Sequence, residues 1–171
     1  LKIRGAISIK IHDGDILQSG AEIIVLSANP SLLAGSGISG IIHKAAGSEL
    51  EKAAKLLGPL KPGEAAITPA FDLSAKYVVH TVCPRYIEGT AKEKEELAGA
   101  YRSALDFYNQ VVDVQSIAFV SMGTGIYKWP LELAAKIAIN ELVKSKFKET
   151  IMCVVDETTK TVYQRAYDRF R

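Results

Sequence analysis

The feature that most restricts the fold of this chain is the order of its apolar patterns, because strand-like and helix-like segments alternate from the second β-branched run onward. Strands joined by helical crossovers pair in parallel, and a parallel sheet needs helices on both faces. Ile7, Ile9 and Ile11 alternate strictly, which predicts an edge strand, whereas Ile23, Ile24 and Val25 are continuous, which predicts a buried one. Further strands are expected over Ala65 to Thr68, Tyr77 to Val82, Ile117 to Val120 and Ile151 to Val155. Helical spacing runs from Gly37 to about Leu57, interrupted by Gly47 and ended by Gly58-Pro59, so one kinked helix or two short ones are expected there. A polar loop over residues 85–92 precedes an amphipathic helix with Leu97, Tyr101, Leu105 and Tyr108 on its inner stripe. Two more helices are expected over Leu131 to Val143, behind Pro130, and over Thr158 to Phe170. The expected class is therefore α/β, a three-layer α/β/α arrangement around a central, mostly parallel six-stranded sheet.

A length of 171 residues suits one domain over 1–171, large enough to bury roughly two thirds of its unfolded surface. The 48% apolar and 23% charged composition is that of a globular chain, which excludes disordered and fibrous classes. A net charge of only +2, with both signs interspersed, provides no phosphate-neutralising stripe, so nucleic acid is not an expected partner. No run approaches the roughly 20 apolar residues of a membrane helix and no charged-then-apolar leader opens the chain. A cytoplasmic location is expected, or a nuclear one in a eukaryote, with no membrane partner and a monomeric state. Cys83 and Cys153 are too far apart in sequence for a metal-ligand pair and sit in apolar runs, where free cysteines pack as small hydrophobes; no metal is expected.

Ligands of parallel sheets sit outside the carboxyl ends of the strands, which directs attention to the loops after Asp15, Ala28, Val120 and Val155. Gly35, Gly37 and Gly40 stand between the second strand and the first helix. Glycine lets backbone approach an anion, and a helix N-terminus offers free N–H groups and a favourable dipole. That loop matches neither the dinucleotide nor the nucleoside-triphosphate fingerprint, and by itself it reads first as an ordinary strand-to-helix turn. A second small-residue loop, Ser121-Met122-Gly123-Thr124-Gly125-Ile126-Tyr127, follows the fifth strand. Two such loops on one sheet edge are suited to wrap a diphosphate with backbone N–H groups. Asp15, in Gly14-Asp15-Ile16, has the chemistry either to accept from an exocyclic amine such as that of adenine or to cap a turn.

Together, Gly14-Asp15-Ile16, the Asn29-Pro30-Ser31-Leu32 stretch running through glycines to His43, and the Gly125-Ile126-Tyr127 loop resemble the signatures of the macro domain family. The likeness extends through Ala65 to Pro69, Ala75 to Val82 and Ser116 to Phe119, and so covers nearly the whole chain. It implies a mixed six-stranded sheet and a ligand, ADP-ribose, free or attached to protein, with no cofactor required. By the same resemblance Asp15, beside the Ile16 backbone, holds the adenine amine, and Asn29 addresses the distal ribose. Gly35, Gly37, Ile38 and Ser39 meet one phosphate, while Ser121, Gly123, Thr124, Gly125 and Ile126 enclose the diphosphate. Tyr127 packs on the distal ribose or fills the seam under the next helix, and Val155 and Asp156 lie at the adenine.

The chain also departs from the family. Leu26 stands where the first asparagine of an Asn-Ala-Ala-Asn motif is found, and Ser39 where many hydrolytic members carry an aspartate. A serine hydroxyl is too weak an acid to act as a base near neutrality. His43, one helical turn after Ser39, and Asn29 are the remaining catalytic candidates, although without a paired aspartate His43 reads first as a histidine that caps or packs near the helix. Val155 replaces an aromatic that stacks on adenine, which removes about 1 kcal/mol of stacking. Ser36, in place of a glycine, adds a side chain to the first loop. These departures favour a binding module over its alternative, a hydrolase that removes ADP-ribose from protein esters or phosphate from ADP-ribose 1″-phosphate by a substrate-assisted route. A third reading is an interaction domain for another nucleotide.

Overall fold

The computed structural model describes residues 8–170, so Ile7, expected in the first strand, lies outside the described residues. Six strands form one sheet: β1 (Ser8–Asp13), β2 (Ile23–Ser27), β3 (Ala65–Pro69), β4 (Tyr77–Thr81), β5 (Ser116–Val120) and β6 (Glu149–Val154). Their order is β1-β6-β5-β2-β4-β3. Neighbours pair in parallel except β3, which returns antiparallel to β4 at one edge, while β1 closes the other. The sheet is thus mixed and mostly parallel, as the alternation of patterns requires.

Five helices cover it. The helical stretch after β2 divides into α1 (Gly37–Ala46) and α2 (Ser48–Lys55) at Gly47, whose φ of +92° suits glycine and stops α1. These two pack on the face that carries Ile24, Leu26 and Val78. The opposite face, with Ile23, Val25, Phe119 and Met152, is covered by α3 (Ala91–Leu105), α4 (Leu131–Leu142) and α5 (Glu157–Phe170). Thr90 starts α3 with a reciprocal cap: its hydroxyl accepts from Glu93 N–H, and the Glu93 carboxylate accepts from Thr90 N–H. Leu97 and Tyr101 are fully buried on the inner stripe of α3, whereas Tyr108 lies past its end and packs edge-on against Phe147. No helix among the described residues is long and apolar enough to cross a membrane.

Candidate functional site

Topology opens a cleft in the middle of the sheet. β2 and β5 are adjacent and parallel, but β2 leads to α1 on one face and β5 to α4 on the other. The loops leaving their carboxyl ends therefore part, and open α/β sheets hold ligands in such a crevice. Here it measures about 440 Å³, bounded on one side by Ser27, Ala28, Asn29 and Gly35 to Ser39 and on the other by Val120, Ser121, Gly123 and Gly125 to Tyr127. None of these side chains is charged. The hydrogen-bonding groups the lining offers are backbone, hydroxyl and the Asn29 amide.

The first wall is tied together at its rim. Asn29 spans its own loop, its Nδ2 donating to Leu33 O at 2.9 Å and its Oδ1 accepting from Leu33 N–H at 3.2 Å. Each of these amide atoms has capacity for one further bond. Leu32 is fully buried with φ of +60°, a strained geometry for a branched side chain held by its packing. Ala34 N–H donates to Glu51 Oε2 at 2.6 Å, which fastens the loop to α2. A Cβ at position 40 would overlap the Gly35 carbonyl oxygen, so glycine there lets the loop lie directly on α1. Ser36, the N-cap of α1, makes no capping bond, and the next three residues all line the cleft. The first turn of α1 thus keeps uncapped N–H donors at the cleft.

The second wall is anchored from within. Gly123 has φ of +86°, and a Cβ there would lie 2.8 Å from Trp129 Cδ1, so the turn is closed onto the indole. Trp129 donates from its backbone to Gly123 O at 3.0 Å and from Nε1 to Pro84 O at 2.9 Å. Tyr127 is held by Tyr86 N–H donating to its carbonyl at 2.9 Å and by the Arg85 guanidinium 5.1 Å above its ring. Behind the loop, Met122 N–H donates to Tyr101 Oη at 2.9 Å, and Tyr163 Oη donates to Ser121 Oγ at 2.8 Å.

Polar groups also sit behind the first wall, where partners are scarce. His80, on β4, contacts Thr68 Oγ1 through Nε2 at 3.0 Å, and its ring lies 6.2 Å from that of His43. Ser39 Oγ, His43 Nδ1 and His80 Nδ1 are buried without a protein partner. Burial, reinforced by His43, pushes the His80 imidazole down to about 4. Burial also lowers His43, against the opposing pull of Glu51. His43 does not line the main cleft; it borders a neighbouring open hollow of about 350 Å³ with Lys44, Ser48 and Glu51.

The sequence-predicted residues fall into two groups. Asn29, Gly35, Gly37, Ile38, Ser39, Ser121, Gly123, Gly125, Ile126 and Tyr127 share the cleft. Thr124 lies outside its lining, with Oγ1 3.1 Å from Ser121 Oγ. Asp15, Ile16, Val155 and Asp156 stand beyond the lining, at the ends of β1 and β6. Asp15 caps a short 3-10 turn through Leu17 N–H at 2.9 Å, and Ile16 is a core side chain. Asp156 caps α5 through Thr159 N–H at 2.7 Å, and that bond holds its carboxyl below the usual range. Val155 is 77% exposed and free to cover a ligand. Leu26 is fully buried beneath α1, away from the cleft. Sequence reasoning did not single out Ser27, Ala28 and Val120 as lining residues, although each stands at the carboxyl end of a central strand. Both cysteine thiols are buried and pushed up to about 12, which makes them unreactive.

A model of the macro domain family matches residues 25–138. A macro domain-containing protein of Mesorhizobium japonicum is 39% identical over 168 residues, covering 95% of each chain. An O-acetyl-ADP-ribose deacetylase of Cronobacter turicensis is 37% identical over 171 residues, covering 95% of this chain and 97% of its own. In three dimensions, a variant of the Oceanobacillus iheyensis macrodomain solved with ADPR superposes with a TM-score of 0.89 at 31% identity, covering 96% of this chain and 94% of its own.

Proposed function

Because this chain belongs to the macro domain family, we propose that it binds ADP-ribose, free or attached to protein, with the diphosphate between the Gly35–Ser39 and Ser121–Tyr127 segments. The observation that carries this reading is the convergence of the uncapped α1 N-terminus and the Gly123–Gly125 turn on one cleft with no charged side chain. Backbone N–H groups recognise phosphoryl oxygens by position, so a basic patch is not needed. The cleft's volume is in the range of small-ligand sites. Asn29 and Tyr127 serve the distal ribose. Asp15, with one carboxylate oxygen not used in its cap, serves the adenine amine together with Val155 and Asp156 at the ends of β1 and β6.

Calorimetric titration with ADP-ribose tests the proposal. Heat of binding is expected, and its absence at millimolar ligand removes the reading. Gly125→Glu places a carboxylate in the cleft and is expected to abolish the signal.

Hydrolysis of an ADP-ribosyl ester is the second reading, favoured by one observation: His43 is kept neutral by burial, with Nδ1 unpartnered, one helical turn behind Ser39. Binding without turnover remains the better supported, since no carboxylate lines the cleft and His43 borders the hollow behind it. Incubation with ADP-ribosylated protein separates the two. Release of ADP-ribose that vanishes in Asn29→Ala and Gly125→Glu supports hydrolysis; stoichiometric retention supports binding.

A further inference from the structure

The second wall of the cleft is oriented from behind by two phenols that no ligand in the cleft reaches. Tyr101, on α3, and Tyr163, on α5, are both fully buried. Tyr101 Oη accepts from Met122 N–H at 2.9 Å. Tyr163 Oη donates to Ser121 Oγ at 2.8 Å, and Ser121 Oγ lies 3.1 Å from Thr124 Oγ1.

This chain of hydroxyls has a direction. A backbone N–H only donates, so Tyr101 accepts from Met122, while Tyr163 donates its hydrogen bond to Ser121. A hydroxyl has one proton and two acceptor positions. Tyr163 fills one acceptor position of Ser121, and with Thr124 as the donor into the other, the direction a ligand acceptor would favour, the Ser121 proton is left for an acceptor in the cleft that Ser121 lines. We infer that Tyr101 and Tyr163 are positioning residues that aim the Ser121 hydroxyl, as a donor, at a phosphoryl oxygen of the bound diphosphate. The inference rests on the ADP-ribose reading of the cleft. Burial pushes Tyr163 up to about 12 and Tyr101 well above the ordinary phenol range, so both keep their protons at neutral pH.

The arrangement also explains why the loop needs hydroxyls behind it as well as glycines within it. Tyr101 takes the Met122 N–H into the core, away from the ligand, and leaves recognition on this wall to Ser121 and the glycine turn. Only a group with a free lone pair suits the donor that results, and a non-bridging diphosphate oxygen is such a group.

Tyr163→Phe removes one oxygen and keeps the ring. Affinities for ADP-ribose and ADP are measured by calorimetry, affinity for adenosine by NMR titration, and the environment of the bound diphosphate by its ³¹P resonances. The variant is expected to weaken ADP-ribose and ADP about five-fold, as loss of an oriented hydrogen bond to a charged group does. Adenosine is expected to be unaffected and the ³¹P resonances of bound ADP-ribose to move. Ser121→Ala, which leaves both phenols in place, is expected to show the same selective loss, and it carries the test alone if Tyr163→Phe fails to fold. Unchanged ADP-ribose affinity in the variants, or a parallel loss for adenosine, overturns the inference while leaving the cleft reading intact. A wild-type protein that takes up no ADP-ribose overturns both.

Discussion

The two faces of the sheet back the two walls of the cleft with different chemistry. The α1 wall carries Ser39 and is backed by two histidines, with three buried polar atoms unpartnered among them, and the loop above is tied by rim bonds from Asn29 and Glu51. Behind the Ser121–Tyr127 wall stand Tyr101, Tyr163 and Trp129, each with its polar atom bonded in the core. An unsatisfied buried polar group costs about 1–3 kcal/mol, whereas a satisfied one rigidifies its surroundings. The difference leads us to expect that the α1 wall is the more adjustable side and the opposite wall the more rigid one.

Acid should expose the contrast most strongly. His80 stays neutral in the folded chain down to about pH 4, while in the unfolded chain it takes up a proton near 6.5. A lowered histidine pKa means that the unfolded state binds more protons between those values. Its contribution to stability is therefore intact above pH 6.5 and is lost as the pH falls toward 4, by about 3 kcal/mol. His43 acts in the same direction. Urea denaturation at pH 7 and pH 4 measures the loss, and the difference between wild type and His80→Gln isolates it from carboxylate titration. If His80→Gln shows the same pH dependence, the first wall is not the acid-sensitive side. Neither phenol behind the second wall titrates in this window.

Rigidity of the second wall is tested by Gly123→Ala, which imposes both a left-handed non-glycine residue and a contact with Trp129. A loss of about 2 kcal/mol is expected in the same denaturation experiment. Glu51→Gln weakens the tie on Ala34 at the adjustable wall and is expected to cost at most about 1 kcal/mol. Its ADP-ribose affinity should fall by more than its stability implies if that wall closes on the ligand. Gly125→Ala has the smallest expected effect on folding, because nothing lies within 4 Å of the added carbon and its φ is outside the left-handed region. Its melting temperature should match that of wild type, so any loss of affinity reports the ligand's own contact with this backbone.

Much of this architecture was legible in the sequence because it depends on pattern. Continuous Ile23 to Val25 read as a buried strand and Ile117 to Val120 as a further strand, and the glycines at 35, 37, 123 and 125 marked the loops that the topology then placed together. What was not legible depends on long-range contact. Tyr101 was visible only as one position on a helical stripe, and nothing in the pattern paired it with Met122 or brought Tyr163, on another helix, to Ser121. The partners of His80, Thr68 through a hairpin and His43 across the layer, were hidden for the same reason. Asp15 and Asp156 show the opposite limit. Their positions at strand ends were foreseen, but local capping of a turn and a helix already uses oxygens that a ligand would want.

The lack of ionised side chains in the lining of the cleft, with Arg85 stacked on the ring of Tyr127 at its margin, has a consequence for behaviour in mixed solution. Counterion release, which makes lysine- and arginine-rich sites sensitive to ionic strength, has little to act on here. Occupancy should change little from dilute buffer to high salt, and abundant polyphosphates and nucleic acids should compete poorly. On the proposed ADP-ribose reading, outline and hydrogen-bond geometry select the ligand where a basic groove would use charge.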